Sequence, residues 1–233
     1  MYNPKHDRAN VPKRAPNRPV VKAVVFDKDG VLADSESINL RAAFEVFRAH
    51  GYELGPDDEP SIVGKHPIDN VPDLARRVGM SEAEQRRVID EQDGVYNRIW
   101  QEQGRLFEGA REALEAVRRL GLGVGLASSS TRREVDAFID RFGLAASFDV
   151  TLSLDDVARA KPDPEIYVLA AQRLGVPTSE MLVVEDSEHG IRSAKAAGAA
   201  CVAVRTEHVR PERIGMADVH IDSIGELSAL LDA

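Results

Sequence analysis

The sequence predicts an α/β protein: a Rossmann-like parallel sheet with helices on both faces, plus an inserted all-helical domain. Three observations lead there. From residue 20 onward short β-branched runs alternate with longer helical patterns, as parallel strands joined by crossover helices require. Glycines stand just past the helical stretches, where a chain leaves a helix. One block between the first and second strand carries helical periodicity and no strand.

The strand runs fall at 20–26, 122–127, 148–152, 181–185 and 200–204, with a short sixth at 218–221. Helical patterns cover 108–120, 131–142, 164–174, 188–197 and 224–231, with Gly121, Gly143, Gly175 and Gly198 as stop signals. Thr131 followed by Glu134 forms a capping-box pattern, and Asp163 before Pro164 reads as an N-cap with proline at the first helical position. Residues 35–104 are too long for a simple crossover. Their patterns at 38–49, 70–78 and 81–103, with a Gly-, Pro- and Asp-rich loop at 51–67, read as an inserted cap. The expected organisation is a tail at 1–19, a catalytic core made of 20–34 and 105–233, and a cap at 35–104.

The 233 residues are 43% hydrophobic and 30% charged, enough to bury a core without disulfides. The single cysteine, Cys201, lies in an apolar run and reads as a small core residue. A net charge of −9 argues against a nucleic-acid partner. No apolar stretch approaches the roughly 20 residues of a membrane span, and the N-terminus lacks an apolar signal core. A cytoplasmic monomer is expected. The first 19 residues oppose the acidic body: Lys5, Arg8, Lys13, Arg14 and Arg18 stand against Asp7 alone, among Pro4, Pro12, Pro16 and Pro19. Such a stretch cannot bury enough surface to order itself and reads as a flexible extension.

Ligands of an open parallel sheet sit outside the carboxyl ends of its strands. Asp27 and Asp29 follow the first run, Ser128, Ser129 and Ser130 the second, Lys161 the third, and Glu185 and Asp186 close the fourth. Aspartates two positions apart on near-extended backbone share a side. With Glu185 and Asp186 they would crowd four acids into one crevice, raising some of their pKa values. A hard divalent cation resolves that repulsion, and an oxygen donor set with no His or Cys suits Mg2+. Lys161 and the Ser128 hydroxyl, with Ser129 beside it, are donors for an anion, helped by the N-terminus of the helix starting near Thr131. Metal, lysine, hydroxyl and helix terminus together suit a transferring phosphoryl group. Asp27 would be its covalent nucleophile, and Asp29 the acid and then base.

The segments 27–35 (Asp-Lys-Asp-Gly-Val-Leu-Ala-Asp-Ser), Ser128, Lys161-Pro162-Asp163-Pro164 and Glu185-Asp186-Ser187 resemble, in order, the four motifs of the haloacid dehalogenase superfamily. The resemblance spans nearly the whole chain after Val20. It implies a Rossmann-like core with a helical cap inserted after the first strand, as in phosphatases similar to β-phosphoglucomutase and phosphoglycolate phosphatase. It implies that Asp27 is nucleophile and metal ligand, and that Asp29 is the general acid/base with its backbone carbonyl on the metal. Asp186 is implied as a ligand, Glu185 as one directly or through water, and Ser128 and Lys161 as phosphate-binding. The second-motif Asp29 speaks against dehalogenation. The mutases of this group carry a histidine where this chain has Asn39, and an arginine where it reads Gly64-Lys65-His66-Pro67, so the phosphatase is favoured over the mutase. Asn39, Lys65 and His66 are the candidate cap residues for substrate specificity. Gly121, Gly123 and Gly125 lack the spacing of a dinucleotide loop, and no P-loop sequence is present. The substrate expected is a small phosphorylated metabolite; a non-catalytic phospho-ligand binder is the alternative from another class.

Overall fold

The computed structural model describes residues 20–63, 67–206 and 211–232. Six strands form its sheet: β1 (Ala23–Phe26), β2 (Gly123–Ala127), β3 (Val150–Leu152), β4 (Met181–Glu185), β5 (Ala200–Val204) and β6 (Val219–Ile221). Helices α1 (Glu36–Ala49), α2 (Glu59–Ile62), α3 (Pro67–Val78) and α4 (Glu82–Gln103) lie between β1 and β2. The remainder are α5 (Ala110–Arg119), α6 (Arg132–Phe142), α7 (Glu165–Leu174), α8 (Glu188–Ala196) and α9 (Leu227–Asp232).

All strand pairings are parallel, in the spatial order β3-β2-β1-β4-β5-β6. The strand order reverses at β1, where residues 23–26 pair with 123–126 on one side and with 181–184 on the other. Such a reversal opens the crevice at the carboxyl ends in which doubly wound sheets hold ligands. Alternation along the strands divides the core by face. Val24 and Phe26 enter a cluster with α5, α6 and α9, through Leu114, Phe138 and Leu227 among others. Ala23 and Val25 enter the opposite cluster with Ile166 and Tyr167 of α7 and Ile191 of α8.

The inserted helices gather around a third core that includes Phe47, Ile62, Leu74 and Val88. They are nonetheless rooted in the sheet domain, because Ile38, Ile99 and Trp100 belong to the β1–α5–α6 cluster. The two connecting segments are tied to each other: Asp34 N–H donates to Arg105 O at 3.2 Å, and Arg105 grips Asp34 Oδ2 through Nε at 2.8 Å and a terminal nitrogen at 2.5 Å.

Several expectations are refined. The predicted strand at 20–26 begins at Ala23, since β2 and β4 begin at residues 123 and 181 and leave no full ladder for earlier positions. The predicted loop at 51–67 contains a 3-10 turn, Pro56–Asp58, and helix α2; Asp58 Oδ2 accepts from Gly55 N–H at 2.8 Å and closes the turn. The capping box at Thr131 and Glu134 is present. At α7 the cap shifts by one: Pro164 occupies the cap position and Asp163 Oδ1 accepts from Glu165 N–H at 3.1 Å. The last helical pattern splits into a 3-10 turn, Ile224–Glu226, and α9. Gly121, Gly143, Gly175 and Gly198 all have positive φ, as helix stops favour. The tail at 1–19 and the candidates Lys65 and His66 lie outside the described residues. Among those described, no helix is long and apolar enough to cross a membrane.

Candidate active site

The carboxyl ends of β1 and β4 are adjacent, and the backbone enforces it: Asp27 N–H donates to Val184 O at 2.9 Å. Two sequence-predicted groups meet Asp27 here. Lys161 Nζ lies 2.5 Å from Asp27 Oδ1 and 2.7 Å from Glu185 Oε1, and donates to Ala127 O at 3.0 Å. These three bonds use every donor of the ammonium. The Lys161 side chain is 4% exposed, and burial alone would favour its neutral form. The charges of Asp27 and Glu185 outweigh burial and raise its pKa, so Lys161 is a fixed cation.

Glu185 is fully enclosed. Its Oε1 accepts from Lys161 and from Tyr167 Oη at 2.8 Å. Oε2 accepts from Asp186 N–H at 3.0 Å, Ser187 N–H at 3.1 Å and Ser187 Oγ at 3.0 Å. Burial would push its pKa up, but Lys161 and these donors hold it down. Its close neighbour is Gly190 in the first turn of α8, where a Cβ would fall 1.6 Å from Glu185 Oε1. Only glycine lets the helix start against the carboxylate.

Asp186 follows in the chain and is 5% exposed. No donor among the described residues reaches its carboxylate, which packs on Gly30 so closely that a Cβ there would sit 1.9 Å from Oδ2. Gly30 also has φ +77, so the turn needs glycine twice over. Burial, followed by the charges of Glu185 and Asp27, raises the Asp186 pKa well above the usual carboxylate range. Burial likewise raises Asp27, against the opposing pull of Lys161 and with the charges of Glu185 and Asp29 adding, to about 7. Two of the crowded carboxylates thus bear the strain the sequence predicts.

Asp29 is held differently. Its Oδ1 lies 3.0 Å from Lys28 Nζ, and its Oδ2 accepts from Ser130 Oγ at 3.0 Å. Burial would raise its pKa, but Lys28 and the hydroxyls of Ser35 and Ser130 lower it. Ser128 is buried, its N–H donates to Leu152 O, and its Oγ accepts from Ser130 N–H at 3.0 Å. Ser129 is exposed at the rim. Asn39 lies on α1, where its Oδ1 accepts from Gln92 Nε2 of α4 at 3.3 Å.

Lys28, Tyr167 and Gly190 belong to this constellation without a role read from the sequence, and Ser130 belongs to it as the partner of Asp29. Ser130 carried a signal, as the third residue of the serine run after β2. Tyr167 and Gly190 carried none, since their partner Glu185 is 18 and 5 residues away in the chain and meets them only through folding.

The donor set fits a magnesium ion. Asp27 Oδ2 and the Asp186 carboxylate are hard oxygens that no described donor occupies, and burial beside like charge disfavours their ionised forms in the absence of a cation. Among the described residues no three acid, imidazole or thiol groups converge into a closed cage. Magnesium is commonly held by one or two carboxylates with water and phosphate completing the shell.

This fold and these motif positions define a class, and comparison with known proteins agrees. The chain belongs to the haloacid dehalogenase-like hydrolase family, whose model matches residues 21–198. It is 38% identical over 80% of its length to Protein SUPPRESSOR OF QUENCHING 1, chloroplastic, of Arabidopsis thaliana, and spans 18% of that protein. It is 32% identical to Hexitol phosphatase B of Escherichia coli, over 90% of this chain and 95% of that one. The crystal structure of CbbY from Rhodobacter sphaeroides in complex with phosphate superposes with a TM-score of 0.77 at 27% identity, over 92% of this chain and 100% of that one.

Proposed function

We propose that the chain hydrolyses a small phosphate monoester, with a polyol or sugar phosphate as its substrate class, in a magnesium-dependent reaction through an aspartyl-phosphate on Asp27. The observation that carries this reading is the Asp27 carboxylate at the switch point of the sheet, with one oxygen fixed by Lys161 at 2.5 Å and the other facing no described donor. The similarity to a hexitol phosphatase and to a phosphate-bound structure supports the substrate class.

Asp27 attacks phosphorus and the P–O bond to the leaving group breaks; Asp29, which Lys28 and Ser130 hold ionised in the free protein, takes the proton of the bound phosphate monoanion and passes it to the departing oxygen. Asp29 then takes a proton from the water that attacks the aspartyl-phosphate, which releases inorganic phosphate and restores Asp27. Bound magnesium, held by Asp27, Asp186 and the Asp29 carbonyl, would neutralise the phosphoryl charge. Lys161 keeps Asp27 oriented and adds positive charge, and Ser128 with its neighbour Ser129 offers donors at the start of α6. Glu185, with five donors on its two oxygens, anchors Lys161. The helices at 35–104 act as the cap over this crevice, and Asn39, Lys65 and His66 read the distal part of the substrate.

The test is a panel of phosphorylated metabolites and p-nitrophenyl phosphate, assayed with magnesium and with EDTA, for the parent and for Asp27→Asn. Turnover that needs magnesium and vanishes in a folded Asp27→Asn is expected. A folded parent that turns over none of the panel is a binding module instead, and wild-type-like turnover by Asp27→Asn would sink the mechanism.

A further inference from the structure

Lys28 stands between the two aspartates, and the mechanism above leaves it no part. Its side chain is 3% exposed, rare for an ammonium group. Besides Asp29 Oδ1 at 3.0 Å it faces the ring of Trp100, whose centroid is 5.9 Å from Nζ, within range of a cation–π contact. Residues 28 and 29 would point to opposite faces of an extended chain. The bend they occupy before Gly30 brings them together.

Each side of this grip is itself held. Trp100 stacks on Tyr96, one turn earlier on α4, with centroids 6.2 Å apart and planes 4° from parallel, and meets Phe142 of α6 edge-on at 6.1 Å. On the opposite side, Ser130 Oγ donates to Asp29 Oδ2, and Ser130 N–H is fixed on Ser128 Oγ. Asp29 lies beyond the end of β1, so these contacts do for its carboxyl group what Lys161 does for Asp27.

We propose that Lys28 is a positioning residue: backed by Trp100 and opposed by Ser130, it fixes the Asp29 carboxyl group so that its proton meets the leaving-group oxygen. The assignment rests on the Asp27 and Asp29 mechanism above. Proton transfer needs hydrogen-bond reach, and a misplacement of about 1 Å costs a reaction on the order of a hundredfold. In the first step the Asp27 O–P bond forms, the ester P–O bond breaks, and an alkoxide takes the Asp29 proton. A nitrophenolate departs without needing that proton. The effect of Lys28 as a positioning residue is therefore a selective loss with the leaving group that needs the proton, whereas loss of its charge alone, which holds Asp29 ionised, would not lower the alkyl rate relative to the aryl one.

Rapid-quench measurement of Asp27 phosphorylation separates the two roles, with the best alkyl phosphate of the panel and p-nitrophenyl phosphate as paired substrates. Lys28→Met is expected to lower the alkyl-to-aryl rate ratio by about tenfold or more. A ratio unchanged in Lys28→Met, whether both rates hold or both fall together, overturns the assignment. Should Lys28→Met not fold, Ser130→Ala loosens the same carboxyl group from the other side, and an unchanged ratio there is equally decisive against it. Asp27→Asn run in parallel should give no burst with either substrate; a burst would defeat the aspartyl-phosphate mechanism itself rather than the role of Lys28.

Discussion

Lys161 commits its whole donor capacity to Asp27, Glu185 and the Ala127 carbonyl, so removing it strands two buried carboxylates. Breaking a buried ion pair from one side costs roughly 3–5 kcal/mol. Lys161→Met is expected to lower unfolding stability in that range, measured by denaturant titration in EDTA, and to abolish turnover. A loss under about 1 kcal/mol would mean that the carboxylates find other compensation. Gly190 makes a complementary case, because a Cβ there collides with Glu185 Oε1 at 1.6 Å. Gly190→Ala should destabilise by about 1–3 kcal/mol, as overpacking does, and lower kcat by displacing the anchor of Lys161. Unchanged kinetics in the folded variant would show that Glu185 can move without consequence. The sequence marked Lys161 as a cation at a strand end, but its partner Asp27 is 134 residues away, and no local pattern encodes that pairing.

At the level of elements, α4 is shared between two bodies. Its amino-terminal half packs Val88 into the core of the inserted helices, and its carboxyl end packs Ile99 and Trp100 into that of the sheet. Arg141 of α6 closes the junction by donating to Gln101 O at 2.5 Å and to Gly104 O at 3.0 Å, on carbonyls at the helix end. Arg141→Ala is expected to cost about 1 kcal/mol and to speed amide exchange in the last two turns of α4, read by hydrogen–deuterium exchange. Exchange unchanged from the parent would place the anchor in the aromatic contacts instead. The helix itself was legible from periodicity over 81–103. Its attachment to α6 was not, because Arg141 and Gly104 are 37 residues apart and meet through the packing of two separately predicted elements.

For the whole molecule, the site makes stability depend on pH and metal together. Asp27 is raised to about 7 from an ordinary value of 3.8, and Asp186 is raised as well. A carboxyl group with a raised folded pKa contributes stability at low pH and loses it as pH rises through the folded value. The metal-free protein should therefore lose the Asp27 part of this contribution between about pH 4 and pH 7 as that group ionises, and the Asp186 part as pH rises further through its own raised value. Magnesium competes with the same protons and binds the folded state, so its stabilisation grows as pH rises. Thermal melts at pH 5.5 and 8 in EDTA and in magnesium chloride check this: the gain in Tm from magnesium should be larger at pH 8. An equal gain at both values would place the ion away from Asp27 and Asp186.

What the sequence determined alone is local and periodic. Short β-branched runs marked the strands, and longer helical patterns marked the helices between them. The capping box at Thr131 and the glycines after the helices placed the helix ends within a residue or two, and the strand ends carried the candidate acids, lysine and serines. These signals act within a turn of helix or a few residues of strand, so a single pass along the chain reads them. The tertiary structure decided who faces whom. It turned Glu185 inward onto Lys161 and Tyr167, left Asp186 against Gly30, and folded Lys28 back onto Asp29 beneath Trp100. Such pairings depend on strand register and helix docking across tens of residues, where burial strips away water and makes each carboxylate's nearest neighbour decide its charge.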